Sequence, residues 1–364
     1  MNNSKIKIIC LIIPSLRHGG SERVMSLLAN EWIKKENLSI NLILLTKQKK
    51  YYGLDKQINL IEPNITYKSN ILSKLIYKIL TVIYIRRTCK QIQPDTILSF
   101  NEKYNNIVLL SLMGTTYDKY VSDRNNPFNS SGFVHDFLKR LLYKKVAGII
   151  AQTNDAKKEL FRLTNNNNIK VIPNPLRNIK TSNQKKENII LNIGRFVEQK
   201  NQLELLEIFN QCDHKGWVLK IYGTGHLEIQ LKDKINELKL NGSVEINDFT
   251  NDIDSVYQKA KIFTLTSIYE GFPNVLVEAM AHGLPSVSYD CQTGPRDIIN
   301  NNVNGFLVGL KQKKQFIKQL NNLMNSETLR NSISVESRKV QEKYSVRDIS
   351  DKYLNFITKN EVNN

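Results

Sequence analysis

Glu270-Gly-Phe-Pro-Asn-Val-Leu-Val-Glu278, which runs on into Ala279-Met-Ala-His-Gly-Leu-Pro285, is the stretch that decides the fold of this chain. Its pattern predicts a loop that leads into a helix, because Pro273 suits the first helical position, where no N–H is needed. The glycine and the proline that end the stretch predict the C-terminus of that helix. The free N–H groups and the positive dipole end of the first helical turn suit an anion such as a diphosphate. Since Glu270 and Glu278 bracket this end with hydrogen-bond acceptors for hydroxyls, the stretch indicates a sugar-nucleotide site.

Strands alternate with helices on both sides of this stretch, which predicts an α/β fold with parallel sheets. A chain of 364 residues is long enough for about two domains. Residues 178–187 are polar and turn-like, so we predict a linker there, with one domain over residues 1–178 and another over 183–345. In such sheets, ligand sites lie at the carboxyl ends of the strands.

The net charge of +18 is distributed very unevenly along the chain. Residues 1–180 hold 29 Lys+Arg and 12 Asp+Glu, a difference of +17, whereas residues 181–364 hold 23 and 22, a difference of +1. A strongly cationic half predicts an anionic partner, which could be membrane lipid, nucleic acid or another polyanion. A lysine-rich coding bias would act on both halves, so the asymmetry favours a functional surface.

Neither a membrane span nor a metal site is expected from the sequence. No apolar run approaches the roughly 20 residues that cross a bilayer, and Ile8–Ile13 is typical of a buried strand rather than a signal peptide. The four cysteines are scattered without metal-like spacing, so we expect free thiols in a reducing compartment. Asp252-Ile-Asp254 could be a carboxylate pair for a metal, but Asp252 is better interpreted as a helix cap.

The segment Ile71–Arg87 predicts a helix that is apolar around most of its circumference. One stripe at helical spacing is more polar: Lys74, Lys78 and Thr81. The segment could be an ordinary domain helix with one solvated stripe. The charge of the first half favours the alternative, a membrane-surface element with Tyr77 and Tyr84 at the level of the lipid headgroups.

Glycines and cations follow several of the predicted strands. Gly194-Arg195, with Lys200 nearby in sequence, predicts a diphosphate clamp, because the glycine admits a ligand and the two cations neutralise it. His18-Gly19-Gly20 is either a plain strand–helix turn or a glycine pair that lets the backbone reach a phosphate. Gly223-Thr224-Gly225 is either a turn that needs glycine for backbone reasons or a loop beside the ligand.

Asp123-Arg124-Asn125 follows a further predicted strand in the first half. It could be only a polar turn before Pro127. The functional interpretation places Arg124 against developing negative charge.

These motifs together resemble the family-4 glycosyltransferases. The residues that carry the resemblance are Gly19-Gly20-Ser-Glu-Arg23, Gly194-Arg195 with Lys200-Asn201, Tyr222-Gly-Thr-Gly225, Glu270-Gly-Phe-Pro273, Glu278-Ala-Met-Ala281 and Cys291-Gln-Thr-Gly-Pro-Arg296. The resemblance covers essentially the whole chain and is densest over residues 188–300. It implies the GT-B fold, in which two Rossmann-like domains present parallel sheets across a cleft. It also implies that a C-terminal helix, within residues 346–364, crosses back to the first domain.

The resemblance implies roles for individual residues. Arg195 and Lys200 would hold the donor diphosphate, Glu278 the ribose hydroxyls and Glu270 the hydroxyls of the transferred sugar. The residues expected to act directly in catalysis are Arg195, Lys200, Glu270 and Arg124. The donor would also contact, largely through backbone, Gly19, Gly20, Gly194, Tyr222, Gly223, Thr224, Phe249, Thr250, Asn251, Gly271, Phe272, Asn274, Val275 and Leu276.

The implied activity is retaining transfer of a hexose or N-acetylhexosamine, without a metal or another cofactor, from a nucleotide-diphosphate sugar that we expect to be UDP-linked. The acceptor would be a glycan, carried on a polyprenyl diphosphate, in the synthesis of surface polysaccharide or lipopolysaccharide O-antigen. Asp123-Arg-Asn-x-Pro127 is similar to members that move N-acetylgalactosamine or related sugars onto lipid-linked acceptors. Arg124 stands where many relatives carry a histidine. Because a polyprenyl-diphosphate acceptor sits at the membrane surface, we expect a cytoplasmic protein that is peripheral on the inner face of the plasma membrane.

Three alternatives remain open at the level of sequence. A sugar-nucleotide epimerase can share the same fold. A basic protein that binds nucleic acid would explain the charge, but the aromatic residues are not interleaved with the basic ones, so we expect no nucleic-acid partner. An inactive transferase kept as a scaffold is disfavoured, because every residue of the predicted donor clamp is present.

Overall fold

The computed structural model describes residues 6–64, 71–180, 184–250 and 252–359, which fall into two compact units. The first unit comprises Met1–Pro175 together with Val346–Asn364, and the second comprises Leu176–Ser345. Each unit has its own parallel sheet and its own apolar core. The predicted α/β architecture with two Rossmann-like units is therefore confirmed.

The first unit is built on a seven-stranded sheet in which every strand pair is parallel. Its elements in chain order are β1 (Lys7–Ile13), α1 (Gly20–Trp32), β2 (Leu38–Leu44), β3 (Asn59–Ile61), α2 (Ile71–Ile92), β4 (Thr96–Phe100), α3 (Glu102–Ser111), β5 (Asp118–Ser122), α4 (Phe133–Tyr143), β6 (Gly148–Ala151), α5 (Asn154–Thr164), β7 (Ile169–Val171) and, from the end of the chain, α14 (Val346–Thr358). The strand order is β3-β2-β1-β4-β5-β6-β7.

Alternate residues of β1 pack against two different helix layers. Ile9 and Leu11 belong to the core that includes α1 and α14, whereas Cys10 and Ile12 belong to the core under α2 and α3. A strand that is covered on both faces has to be apolar without alternation, which explains its continuous apolar run. α14 is tied to α1 by the indole N–H of Trp32, which donates to the carbonyl of Ser350 at 3.1 Å. The C-terminal helix thus belongs to the first unit, as the family resemblance implied.

The second unit is built on a six-stranded sheet, also with every strand pair parallel. Its elements are β8 (Ile189–Ile193), a 3₁₀ turn (Glu198–Lys200), α6 (Gln202–Asn210), β9 (Val218–Tyr222), α7 (Glu228–Glu237), β10 (Val244–Asn247), α8 (Ile253–Lys259), β11 (Ile262–Leu265), α9 (Asn274–Ala281), β12 (Ser286–Asp290), α10 (Pro295–Ile298), β13 (Phe306–Gly309), α11 (Lys313–Asn325), α12 (Glu327–Arg338) and α13 (Val340–Lys343). The strand order is β10-β9-β8-β11-β12-β13.

α9 is the helix that the opening stretch predicted, with one correction at its start. Pro273 precedes the helix instead of occupying its first position, because its carbonyl accepts the N–H of Leu276 at 3.0 Å, as an N-cap carbonyl does. The helix ends as predicted, since Gly283 adopts a φ of 72°. The N–H groups of Gly283 and Leu284 donate to Met280 and Ala279 in the pattern of a Schellman motif.

α2 turns Tyr77, Tyr84 and Thr81 inward, whereas Lys74 and Lys78 of the predicted polar stripe are exposed. The hydroxyl of Tyr77 donates to the carbonyl of Leu45 at 2.7 Å, and that of Tyr84 donates to Ile61 at 3.3 Å. Thr81 is buried. Neither tyrosine therefore faces outward to a headgroup layer, and the outward face of the helix carries aliphatic residues instead. In the part of the chain that the structure describes, none of the helices combines the length and the apolarity needed to cross a bilayer.

Candidate functional site

The loops that follow β8 and β9 are joined at the carboxyl edge of the second sheet. The N–H of Gly194 donates to the carbonyl of Tyr222 at 2.9 Å, and the N–H of Phe196 donates to Thr224 at 2.9 Å. A Cβ on Gly223 would lie 2.0 Å from the carbonyl oxygen of Gly194. The backbone interpretation of this glycine turn is thus supported: the residue has to be glycine for the two loops to meet. Thr224 is exposed beside it.

This close approach gives a stability prediction. We expect Gly223→Ala to lower the free energy of unfolding by about 3 kcal/mol, because backbone has to move to admit the methyl group. Thermal or denaturant unfolding measures the loss. Gly53→Ala is the matched control, since a Cβ at Gly53 would meet nothing within 4 Å, and it should stay within about 0.5 kcal/mol of the wild type. Equal stability of the two variants would contradict the packing role of Gly223.

Lys200 and Glu270 are brought together beside these loops although they lie 70 positions apart in the chain. The ammonium of Lys200 lies 2.5 Å from Oε1 of Glu270, and both side chains are largely buried, with exposed fractions of 14% and 7%. The stem of Lys200 passes over Gly194, whose absent Cβ would lie 3.3 Å from it. Two of the predicted donor-binding residues therefore form one ion pair at the carboxyl end of β8.

Arg195 differs from Lys200 in its surroundings. It directly follows the glycine at the end of β8 and is exposed. Over the described ranges, no carboxylate lies within 4.0 Å of its guanidinium. Its charge is therefore available to an anion that reaches the carboxyl edge of the sheet.

The start of α9 presents backbone and not side chains. Phe272 and Leu276 are buried, and the ring of Phe272 packs against Tyr344 with centroids 5.6 Å apart. Asn274 and Val275 are only partly exposed, as is Gly271. Any contact between this turn and a ligand would hence use mainly N–H groups, which is the kind of contact that the resemblance implies for these residues.

Glu278 lies one turn inside α9 and is held by an arginine that the sequence reasoning missed. Nε of Arg177 lies 3.4 Å from Oε2 of Glu278, and the hydroxyl of Tyr257 lies 3.4 Å from the same oxygen. Arg177 also makes a bidentate contact with Asp254, at 2.7 and 3.0 Å. Burial alone would lower the pKa of Arg177, but the hydrogen bond to Asp254 and the charge of Glu278 raise that pKa above its usual range.

This network also accounts for the aspartates before and within α8. Asp254 is the counterion of Arg177, so it is not available as half of a metal site. Asp252 occupies the predicted cap position of α8, but its side chain makes no capping hydrogen bond. Across the described residues, no group of three or more His, Cys, Asp or Glu side chains is placed to hold a metal ion.

A cavity of about 260 Å³ opens beside β8 and β9 in the second unit. Tyr222 and Thr250, two of the residues predicted to contact the donor, line it together with Lys220, Asp252 and Lys259. Phe249 is exposed nearby in sequence. The predicted contact at Asn251 lies outside the described residues.

In the first unit, the glycine loop is ordered by a tyrosine. The hydroxyl of Tyr52 donates to the carbonyl of Gly19 at 2.9 Å and lies 3.3 Å from its N–H. Gly19 caps α1 and Gly20 is its exposed first residue. The first helical turn is therefore open at Gly20.

Arg124 lies deeper than a polar turn would place it. It is buried at the end of β5, where its guanidinium contacts the hydroxyl of Tyr353 at 3.0 Å and the side-chain oxygen of Asn174. Its Cζ lies 4.4 Å from the ring centroid of Phe100. No carboxylate in the described residues lies within ion-pairing distance of it. The contacts of Arg124 within the first unit are thus established, and its catalytic role stays a prediction.

Comparisons with known proteins agree on one family. The model of "Glycosyl transferases group 1" matches residues 176–340. An uncharacterized glycosyltransferase of Haemophilus influenzae is 30% identical over 351 residues, which cover 93% of this chain and 96% of that protein. A Campylobacter jejuni enzyme, N-acetylgalactosamine-N,N'-diacetylbacillosaminyl-diphospho-undecaprenol 4-alpha-N-acetylgalactosaminyltransferase, is 27% identical over 369 residues, which cover 94% of this chain and 98% of that enzyme.

Among solved structures, HepE of Anabaena in complex with UDP superposes with a TM-score of 0.80 at 17% identity, covering 97% of this chain and 100% of that one. At this identity the likeness shows the shared GT-B fold and nothing finer. The family match, the nearly full-length relatives and the two parallel-sheet units agree with one another. Together they establish that this chain belongs to the group 1 glycosyltransferases.

Proposed function

We propose that this glycosyltransferase moves a hexose or N-acetylhexosamine, with retention of configuration, from a UDP-linked donor to a lipid-linked glycan in surface polysaccharide or O-antigen synthesis. The observation that carries the proposal is the Lys200–Glu270 pair beside Gly194-Arg195 and the start of α9. It joins, at one sheet edge, cations for a diphosphate and a carboxylate for sugar hydroxyls. UDP in the related fold of HepE and the undecaprenol-linked acceptor named for the Campylobacter relative support the nucleotide and the acceptor class.

The chemistry that these residues could supply is mainly electrostatic. As the bond between the anomeric carbon and the diphosphate oxygen breaks, the sugar ring becomes cationic and the leaving diphosphate gains negative charge. Arg195, Lys200 and the free N–H groups at the start of α9 would stabilise that negative charge. The departing phosphate oxygen can take the proton of the acceptor hydroxyl as the new glycosidic bond forms on the same face. No side-chain base is then required.

The two glutamates would orient the donor. Glu270 would accept hydrogen bonds from the transferred sugar, and Glu278 from the ribose. Arg177 and Tyr257 contact Oε2 of Glu278, so we propose that they fix the orientation of this carboxylate. The roles of Gly19, Gly20 and Arg124 stay predictions.

The proposal is tested by incubating the purified protein with a panel of nucleotide sugars, first by thermal shift and then with polyprenyl-diphosphate-linked acceptors. We expect stabilisation by one UDP-sugar and an α-configured product from an α-configured donor, read by NMR coupling constants. Conversion of the donor into a different nucleotide sugar without an acceptor would indicate an epimerase instead. An inverted product would contradict the retaining mechanism.

We further expect transfer to survive an excess of EDTA. The reason is that two cations and a helix terminus already supply the charge that would otherwise be needed at the leaving diphosphate. Initial rates with and without EDTA, on protein first dialysed against chelator, measure this directly. Complete loss of activity with rescue by Mn²⁺ would contradict the metal-independent mechanism.

We also propose that the protein works in the cytoplasm, peripherally on the inner face of the plasma membrane. The support is the difference of +17 between basic and acidic residues over residues 1–180, which favours an anionic surface near this unit. A polyprenyl-diphosphate acceptor would be presented at such a surface.

A further inference from the structure

The outward face of α2 carries an unusual row of aliphatic residues. The tyrosines and Thr81 face the protein interior, so the exposed side chains over residues 74–90 are all aliphatic or basic. Over residues 73–92 of the helix, the exposed aliphatic residues are Leu75, Ile76, Ile79, Leu80 and Ile83. An exposed apolar row of this size on an otherwise well-packed unit marks a surface that another phase or partner covers.

α4 shows the same inversion more sharply. Lys139 is buried with an exposed fraction of 8% and pairs with Asp123, which also accepts a hydrogen bond from Tyr143 at 2.7 Å. On the outward side, by contrast, Phe133 and Phe137 are 86% and 54% exposed. The buried ion pair fixes the rotation of α4 about its axis. Turning the phenylalanines inward would move Lys139 out of the interior and break its pair with Asp123.

The exposed side chains of α4 form a stripe. Phe133, Phe137 and Leu141 recur every fourth residue, which is the spacing of one helix face, and Val134 extends it. α3 packs against both α2 and α4, and a guanidinium nitrogen of Arg86 donates to the carbonyls at the end of α3. The apolar rows of α2 and α4 consequently lie in one helix layer, on the same side of the first sheet.

Cations accompany both rows, and acidic residues are almost absent. α2 contains no Asp or Glu, and α4 contains only Asp136. The exposed basic residues of the two helices and of the turn after α4 are Lys74, Lys78, Arg86, Arg87, Lys90, Arg140, Lys144 and Lys145. Apolar side chains surrounded by cations match an anionic bilayer, where the apolar groups enter the acyl boundary and the cations meet phosphates. A nucleic acid would take the cations but leave the apolar rows in water.

We propose that the outward faces of α2 and α4 are a membrane-insertion face, with Phe133, Phe137 and Leu141 of α4 entering the acyl boundary of an anionic bilayer. The proposal rests on the peripheral location proposed above and adds to it a part of the binding that is not electrostatic. Charge attraction alone is screened by salt, whereas insertion of apolar side chains is not. The two contributions can therefore be measured separately.

The test is co-sedimentation of the full-length protein with vesicles of phosphatidylethanolamine and phosphatidylglycerol, at low and at high salt. We expect Phe133→Ser with Phe137→Ser to weaken vesicle binding at least about tenfold at both salt concentrations, because two large apolar side chains no longer enter the bilayer. We expect Lys74→Gln with Lys78→Gln to weaken binding mainly at low salt. Ile229→Ser on α7, at a residue 73% exposed in the second unit, is the matched control and should bind as the wild type does.

A Phe137→Trp variant locates the face more directly. Its fluorescence should shift to the blue on vesicle binding and be quenched by brominated acyl chains, whereas Ile229→Trp should respond to neither. UDP binding and the unfolding temperature of each variant, measured without lipid, show whether the second unit and the fold are intact.

The outcomes separate this inference from the proposed activity. Wild-type vesicle binding by the phenylalanine variant would overturn insertion through α4 even if transfer is confirmed. A protein that binds UDP and transfers sugar but ignores vesicles would overturn both insertion and the peripheral location, and leave the chemistry standing. A self-association that the phenylalanine substitutions abolish, with no change in vesicle binding, would identify the face as a contact between copies and overturn the proposal.

Discussion

Replacing Arg195 by alanine is expected to lower kcat by about a hundredfold or more, with little effect on stability. The side chain is exposed at the end of β8, and no carboxylate in the described part of the chain neutralises it. Little native structure therefore depends on it. A leaving diphosphate gains charge in the transition state, so the loss of this guanidinium should affect kcat more than the donor KM.

The measurement is steady-state transfer by purified Arg195→Ala with its unfolding temperature determined in parallel. Arg195→Lys should recover part of the activity, because it restores the charge without the bidentate geometry. Lys314→Ala, which removes an exposed cation of α11 in the same unit, is the control and should turn over normally. Unchanged kcat in Arg195→Ala would reject the diphosphate clamp.

The central strands of the sheets could be predicted because they are covered on both faces. Ile8–Ile13 and its counterparts are nearly uninterrupted apolar runs, and such runs separated by helical segments have few folds open to them. The end of α9 was equally predictable, since Gly283 has to adopt the left-handed conformation that closes the helix.

Other elements cannot be predicted from the sequence pattern, because their polar residues find partners only in the folded protein. The helix over Glu102–Ser111 is not evident from the sequence, because Asn105 and Asn106 interrupt its apolar pattern. In the structure both are buried: the amide of Asn105 bonds Ser99 and Tyr143, and the amide nitrogen of Asn106 donates to the carbonyl of His135. The outward orientation predicted for Tyr77 and Tyr84 of α2 is wrong for a similar reason. Its tyrosines find backbone carbonyl partners inside the unit, and that cannot be read from helical spacing.

The candidate site likewise contains residues whose approach the sequence predicts and one residue that it does not reveal. Gly194, Lys200 and Glu270 follow strands of one sheet, so topology predicts that they approach each other, and they do. Arg177 has no such signal. Its only mark in the sequence is a charge just before the predicted linker, and its partners lie 77 and 101 positions away.

Removing the charge of Lys200 should have two separable effects, on stability and on turnover. Lys200→Ala leaves the buried carboxylate of Glu270 without its ion-pair partner, so we expect a loss of about 3–5 kcal/mol in unfolding free energy. We also expect kcat to fall about a hundredfold or more, because a cation for the leaving diphosphate is gone. A single variant cannot tell these apart, since an unpaired Glu270 could distort the site by itself.

The double variant Lys200→Ala with Glu270→Gln resolves the two effects. The neutral amide no longer needs a counterion, so we expect most of the lost stability to return. Turnover should not return, because the diphosphate still lacks its ammonium and the sugar lacks its carboxylate. The exposed pair Lys232–Glu228 on α7 serves as the control, and the same substitutions there should change stability by no more than about 0.5 kcal/mol. If the double variant regains turnover along with stability, Lys200 serves only to neutralise Glu270, and the proposed contact between its ammonium and the donor diphosphate is wrong.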